Sequence, residues 1–251
     1  MSHKLTLALA LLAAGAAPAP AQNAWTWHKA VPAGQVVEIK GIIGNIVATA
    51  ASGSEVEVVA RKTADRGDTA NVRIQAVEQN DGVTICVIYY ADDDCDGNGH
   101  SGSHDNDTHV DFEVHVPRGV RFSGRTVVGR IEATGLSADV DAATVTGDVR
   151  VSTTGLVDAS SVSGSLRLQL GRADWAGTLS FQTVSGDVTL ELPGDLNSEV
   201  SFNTVSGEFA SDWPVTVTTS GSRRVSGTIG SGGRRLHVST VSGDLELRKQ
   251  P

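Results

Sequence analysis

Aromatic residues are scarce in this chain, at 4%, which excludes a thick globular core built around rings. Filling must come from β-branched and small aliphatic side chains, and these suit thin, repetitive β-structure. An excess of positive charge is also missing. The formal net charge is −9, the wrong sign for a nucleic-acid binder, which needs Lys and Arg against phosphates. After residue 21 no apolar run reaches the roughly 18 residues that a membrane-spanning helix requires. No amphipathic helical periodicity of any length follows it either. There is no Gly-x-Ser-x-Gly elbow, no His-Glu-x-x-His helix and no phosphate loop, so the common signatures of acyl transfer, metalloproteolysis and nucleotide binding are missing.

What is present begins with an export signal. Lys4 gives a positive start, Leu5–Ala17 is apolar but too short to span a bilayer, and Ala19-Pro20-Ala21 puts small residues at a cleavage site. Residues 1–21 are therefore expected to be a signal peptide and Gln22 the mature start. No Cys follows to carry a lipid. The mature chain of roughly 230 residues is expected in the periplasm, outside the cell or at its surface.

Self-similarity dominates the rest. Thr-Val-x-Gly recurs at Thr126–Gly129, Thr144–Gly147, Thr183–Gly186, Thr204–Gly207 and Thr240–Gly243, with Ser161–Gly164 a hydroxyl variant and Arg224–Gly227 a degenerate copy. Successive glycines, that copy included, lie 16 to 22 residues apart. After each Gly comes a polar and then an apolar residue, as in Asp148-Val149 and Asp187-Val188. Five residues before the motif Val stands another apolar one, as at Phe122, Val140 and Val157. The register between the two apolar positions is fixed and the remaining length varies, as stacked repeats require. Gly41–Ile46 carries the same template near the mature N-terminus, with Gly44 in the glycine slot.

These features predict an all-β fold, a parallel β-solenoid of short stacked coils with a β-rich N-terminal insertion. Residues 22–118 hold the first coil and an acidic loop, and residues 119–251 the solenoid repeats. Period-2 alternation puts Val184, Gly186, Val188, Leu190 and Leu192 on the inner side and Thr183, Ser185 and Asp187 outside, with the chain turning at Gln182-Thr183. Gly44, Gly129, Gly147, Gly164, Gly186, Gly207 and Gly243 fill an inward slot where the coil is narrow or the dihedrals are unusual. Strand-like runs at 56–60, 72–77, 83–88 and 110–116 lack the motif and read as the insertion or as widened coils.

The Gly41-Ile42-Ile43-Gly44-Asn45-Ile46 opening, the segment Val114–Val120, the tandem Thr-Val-Ser-Gly-Asp-Val repeats and Gly230-Ser231-Gly232-Gly233 together resemble the bacterial DUF4097-type putative-adhesin family of exported β-strand repeat proteins. The resemblance covers nearly all of the mature chain. It implies a periplasmic or cell-surface β-solenoid, with no catalytic residues to carry over.

Several clusters invite chemistry. Asp92, Asp94 and Asp96 before Gly97 match the opening of a calcium loop, but the twelfth position is Ser103 and no helix pattern flanks it. A solvated hairpin tip is the alternative. Cys86 and Cys95, in an oxidising compartment, are expected to form a structural disulfide, with free thiols or a metal pair as the alternatives. His100 and His104 lie in a Gly/Ser/Asp-rich stretch where such residues usually ligate nothing, and His109 and His115 fall on the solvent side of a strand. The post-glycine positions Asp148, Asp187, Glu208 and Asp244 form an outward acidic ladder, a candidate cation-bridged or sugar-binding face. Its alternative is charge that only keeps the sheet soluble.

The function expected is a non-catalytic envelope or secreted module, an adhesin or other surface binder, with no cofactor beyond the weak calcium site. Its partner is a cell-surface glycan or protein. One rival is a β-helix polysaccharide lyase or hydrolase, which needs paired carboxylates in an aromatic-lined cleft. The other is a scaffold that docks a protein, or a second copy, through unpaired strand edges of the solenoid, with the last coil, 236–247, left uncapped.

Overall fold

The computed structural model describes residues 24–65, 69–89, 95, 106–221 and 223–250. The expected signal peptide at residues 1–21, the calcium candidates Asp92, Asp94 and Asp96, and His100 and His104 lie outside the described residues. Apart from one 3-10 turn at Thr69–Asn71, the regular structure is all strand. The N-terminal strands are β1 (Ala24–Ala30), β2 (Val36–Lys40), β3 (Ile46–Ala50), β4 (Glu55–Thr63), β5 (Arg73–Gln79), β6 (Gly82–Ile88) and β7 (His109–Val116). The middle strands are β8 (Arg121–Val128), β9 (Ile131–Leu136), β10 (Val140–Thr146), β11 (Val149–Thr153), β12 (Val157–Ser163), β13 (Leu166–Leu170), β14 (Thr178–Gln182) and β15 (Val188–Leu192). Last come β16 (Ser198–Asn203), β17 (Phe209–Ser211), β18 (Val215–Gly221), β19 (Arg224–Ile229), β20 (Arg234–Ser239) and β21 (Leu245–Lys249).

Two sheets face each other across one core. The first has ten strands in the order β1-β4-β7-β3-β9-β11-β13-β15-β21-β17, and the second eleven, β18-β19-β16-β20-β14-β12-β10-β8-β2-β6-β5. Each coil is a rung: a strand of the second sheet, a corner, then a strand of the first. Rungs stack in parallel, so Val140 sits on Val157 and Val149 on Leu166. A rung such as β12–β13 buries Val157, Ala159, Leu166, Leu168 and Leu170. Each larger side chain among them contributes about 1.5–3 kcal/mol over exposure. Phe112, Phe122, Phe181 and Phe202 are fully buried in the same core.

The stacking order departs from chain order at both ends. The rung β6–β7 lies outside β2–β3, and β20–β21 lies between β14–β15 and β16–β17. The runs 83–88 and 110–116 thus make one rung, while 56–60 and 72–77 belong to antiparallel cap strands, β4 against β7 and β5 against β6. Both sheets continue unbroken past residues 118–119.

Three sequence expectations need correction. The last coil is not an uncapped end, because β20 and β21 are paired on both sides; self-association through the edge of that coil is excluded. Arg224–Gly227 is no corner but part of β19, which runs antiparallel to β16 and β18. The motif Val is also not inward: Thr183 is 4% exposed and Val184 44%. The inward alternation Leu179, Phe181, Thr183 runs one residue further than expected, and the parity breaks between Thr183 and Val188 instead.

Candidate binding site

The corner is built by a division of labour within Thr-Val-x-Gly. In six rungs the Gly has φ between +136° and +158°, a region that L side chains rarely adopt. A Cβ there would also be driven into a carbonyl of the adjacent rung. At Gly129 the obstacle is Gly44, at Gly147 it is Gly129, at Gly164 it is Gly147 and at Gly186 it is Gly164. The glycines form a column in which backbone lies directly on backbone. The buried hydroxyl before them ties the rungs together. Thr144 Oγ1 donates to Gly129 O at 3.0 Å, Ser161 Oγ to Gly147 O at 3.1 Å and Thr183 Oγ1 to Gly164 O at 3.0 Å. Ser161 replaces Thr without loss because the hydroxyl is what the site needs. Thr204, in the outermost rung, is buried with no partner for its hydroxyl among the described residues.

The post-glycine residues also serve the backbone. Asp148 Oδ1 accepts from Ser165 N at 2.8 Å, Ser165 Oγ from Asp187 N at 3.3 Å, Asp187 Oδ1 from Asp244 N at 3.0 Å and Asp244 Oδ1 from Glu208 N at 2.7 Å. Asn45 does the same for Arg130 N. Because β20–β21 is inserted in the stack, Asp187 neighbours Asp244 and not Glu208. The three carboxylates Asp187, Asp244 and Glu208 follow one another, and Asp148 stands apart behind Ser165. One oxygen each of Asp148, Asp187 and Asp244 is thus committed to an amide. Among the described residues no group of three or more His, Cys, Asp or Glu is arranged to hold a metal.

On the outward side of the first sheet lies an open groove of about 520 Å³, lined in part by the ladder carboxylates Asp187 and Asp244. Parallel register sets Glu132, Arg150, Arg167, Thr189 and Glu246 in one row across five strands. A second row carries Gln169, Glu191 and Arg248, and Arg248 Nη2 lies 2.8 Å from Glu246 Oε2. Sequence reasoning put Thr189 and Glu191 on the outward side but named none of these residues as a site. Their signal was the alternation itself, since each lies one or three positions past an inward apolar residue, but the displaced last rung hid which of them meet.

On the second sheet, Asp139, Asp141 and Asp158 line a depression of about 280 Å³. Partial burial holds the Asp158 carboxyl above its usual range, Asp141 adds to this, and Arg125 opposes it. Arg125 Nη2 is 2.9 Å from Asp141 Oδ1 and its Nε 3.7 Å from Glu38. Cys86 and Cys95 are disulfide-bonded, with Cα atoms 5.9 Å apart. His109 and His115 are exposed on β7, whose Val110, Phe112, Val114 and Val116 point inward. Trp175 and Trp213 are buried, their indole N–H groups donating to Arg235 O and Gly194 O. Neither offers an exposed platform for a sugar ring.

Comparison with known proteins yields one family. The model of the Toastrack DUF4097 family matches residues 63–248. No curated protein matches the chain in sequence. Among solved structures it is similar to a putative cell adhesion protein from Clostridium sporogenes, at 7% identity and a TM-score of 0.44 over 90% of this chain and 100% of that one. A putative adhesin from Bacteroides fragilis gives 13% identity and a TM-score of 0.33 over 92% and 99%. One from Parabacteroides merdae gives 10% and 0.25 over 90% and 96%. No helix of the described residues is long and apolar enough to cross a membrane.

Proposed function

The chain belongs to the Toastrack DUF4097 family, and we propose that it acts as a non-catalytic, adhesin-type binding module of the cell envelope. The observation that carries this reading is the groove on the first sheet. Arg150 and Arg167 occupy adjacent places on neighbouring strands, and rigid parallel strands hold them at the strand spacing of roughly 4.8 Å. Two exposed guanidinium groups on neighbouring strands suit the carboxylates, sulfates or phosphates of an anionic polymer, since each can form paired charge-assisted hydrogen bonds. With Trp175 and Trp213 buried and no tryptophan lining the groove, recognition in it would rest on anionic groups rather than on stacking against indole. Export through residues 1–21 fits an envelope partner. Asp148, Asp187 and Asp244 are structural in this reading, each accepting from an amide of the next rung, and Asp187 and Asp244 close the ladder side of the groove.

The test is an array of acidic and neutral envelope polysaccharides and envelope proteins, read for retained chain and released sugar, with and without calcium. Retention on acidic polymers that the double variant Arg150→Ala, Arg167→Ala loses would support the groove. Equal retention by the double variant would overturn it. Retention that needs calcium, and that Asp94→Asn abolishes, would add the loop Asp92, Asp94 and Asp96 as a cation site. Release of sugar would favour the enzymatic reading, and the raised Asp158 beside Asp141 is the pair to replace first.

A further inference from the structure

The outward corner of the stack has a composition unlike the rest of the surface. In seven rungs its four positions, from Gly41–Gly44 to Thr240–Gly243, hold no charged residue, although charged residues make up 20% of the chain. Along the stack the motif positions follow as Ile42, Val127, Val145, Val162, Val184, Val241 and Val205. The six valines are between 43% and 55% exposed. Val128 beside them is 45% exposed. The corner backbone is bonded rung to rung: Val184 N donates to Val162 O and Val241 N to Val184 O, each at 3.1 Å. The stripe is therefore continuous, and at the spacing of parallel strands it is roughly 29 Å long.

Nothing in the fold requires valine at these places. The buried Thr and the Gly column make the corner, and a solvated position tolerates Ser, Thr or Lys equally well. A continuous apolar line of roughly 500 Å² is at the size where monomer surfaces carry an interaction site. The geometry points to a second copy of this chain as the occupant, with the two valine stripes packed face to face and antiparallel about a two-fold axis.

Two features select that partner. Knobs at every rung can all be matched at once only by a surface with the same repeat, and another rung stack has it. Two such stripes bury roughly 1,000 Å² together, which reaches the lower bound of specific interfaces before the flanking serines are counted. Charge favours the antiparallel sense. With stripes parallel, the flank of one copy before the corner meets the flank of the other after it, and Arg125 faces Arg130. With stripes antiparallel, Arg130 of the second place faces Asp244 of the sixth, offsetting the meeting of Asp148 with Asp187. Val162 is the fourth of the seven places, so the two-fold axis passes through it and it packs on itself.

The association is read by sedimentation equilibrium of the purified chain from roughly 1 µM to 1 mM, the range of weak to moderate interfaces. A monomer–dimer equilibrium is expected. Val162→Asp should weaken it at least tenfold, while Val217→Asp, an equally exposed valine in the β18–β19 hairpin, should leave it unchanged. Circular dichroism of both variants should match the parent, since neither side chain is in the core. Under mild oxidation Val162→Cys should link two copies. Val127→Cys should link only when mixed with Val241→Cys, because antiparallel packing holds two copies of Val127 roughly 19 Å apart. A monomer throughout the range overturns the proposal, as does a dimer indifferent to Val162→Asp. Self-linking of Val127→Cys as fast as that of Val162→Cys overturns the antiparallel arrangement. The valine stripe and the arginine pair are probed by different variants and different readouts, so either can fail alone.

Discussion

Replacing Gly147 by Ala puts the whole account of the corner at risk, because the change adds a single methyl group. Gly147 sits in the middle of the stack with φ +147°, and an alanine held there is strained by about 1–3 kcal/mol. Its Cβ also points into the carbonyl of Gly129. This obstacle is backbone, so no side chain can swing away, and the two rungs must separate locally. Separation strains the bond from Gly129 N to Thr146 O at 2.9 Å and that from Thr144 Oγ1 to Gly129 O at 3.0 Å. Each is worth about 1 kcal/mol net. The expected loss is therefore about 3–5 kcal/mol, a large share of the 5–15 kcal/mol that holds a typical domain together. Urea unfolding followed by far-UV circular dichroism measures it. Val145→Ala, two residues away and half-exposed, is the control and should cost no more than about 0.5 kcal/mol. A loss below about 1 kcal/mol for Gly147→Ala would refute the reasoning, since it would mean that the rungs are not in backbone contact at the corner.

Thr183→Val should cost about 1–3 kcal/mol by leaving Gly164 O without its donor, whereas Thr204→Val in the outermost rung should be neutral or stabilising, because the Thr204 hydroxyl has no partner among the described residues; urea midpoints of the two variants decide it. Replacing Cys86 and Cys95 together by Ser opens a short loop and should lower stability by about 2–3 kcal/mol on the chain-entropy estimate, an effect that reduction of the parent chain should reproduce. Tyr89 is buried, its hydroxyl donates to Thr108 O at 2.6 Å, and burial pushes its phenol up to about 12. The fold thus favours the protonated form, and this contribution is intact below pH 10, the phenol's ordinary value, and lost as pH rises from 10 to 12. A phenolate absorbance titration should show one late component that Tyr89→Phe removes, and its appearance near pH 10 in the folded chain would contradict the burial.

The sequence by itself determined what each rung is. A period-2 pattern of Val, Ile and Leu, a fixed interval across the corner and a Gly column are local demands, so Val157 and Ala159, or Leu166 and Leu168, declare their inward direction wherever the rung sits. The cysteine pair was equally open to inspection. The direction of the motif valine was not. Thr183 looks polar and Val184 apolar, and only the carbonyl of Gly164 waiting in the next rung explains why the hydroxyl goes inside. The order of the rungs was not written locally either. The faces of β16 and β20 carry the same alternation, Val200 and Phe202 against Leu236 and Val238, and the intervening hairpin β18–β19 lets the chain pass over a place and return to it. That choice, made by contacts between segments far apart in the chain, places Asp244 between Asp187 and Glu208 and aligns Arg248 and Glu246 with Glu191 and Thr189. The repeat specifies the coil, and only the closing of both ends of the stack decides which coils are neighbours.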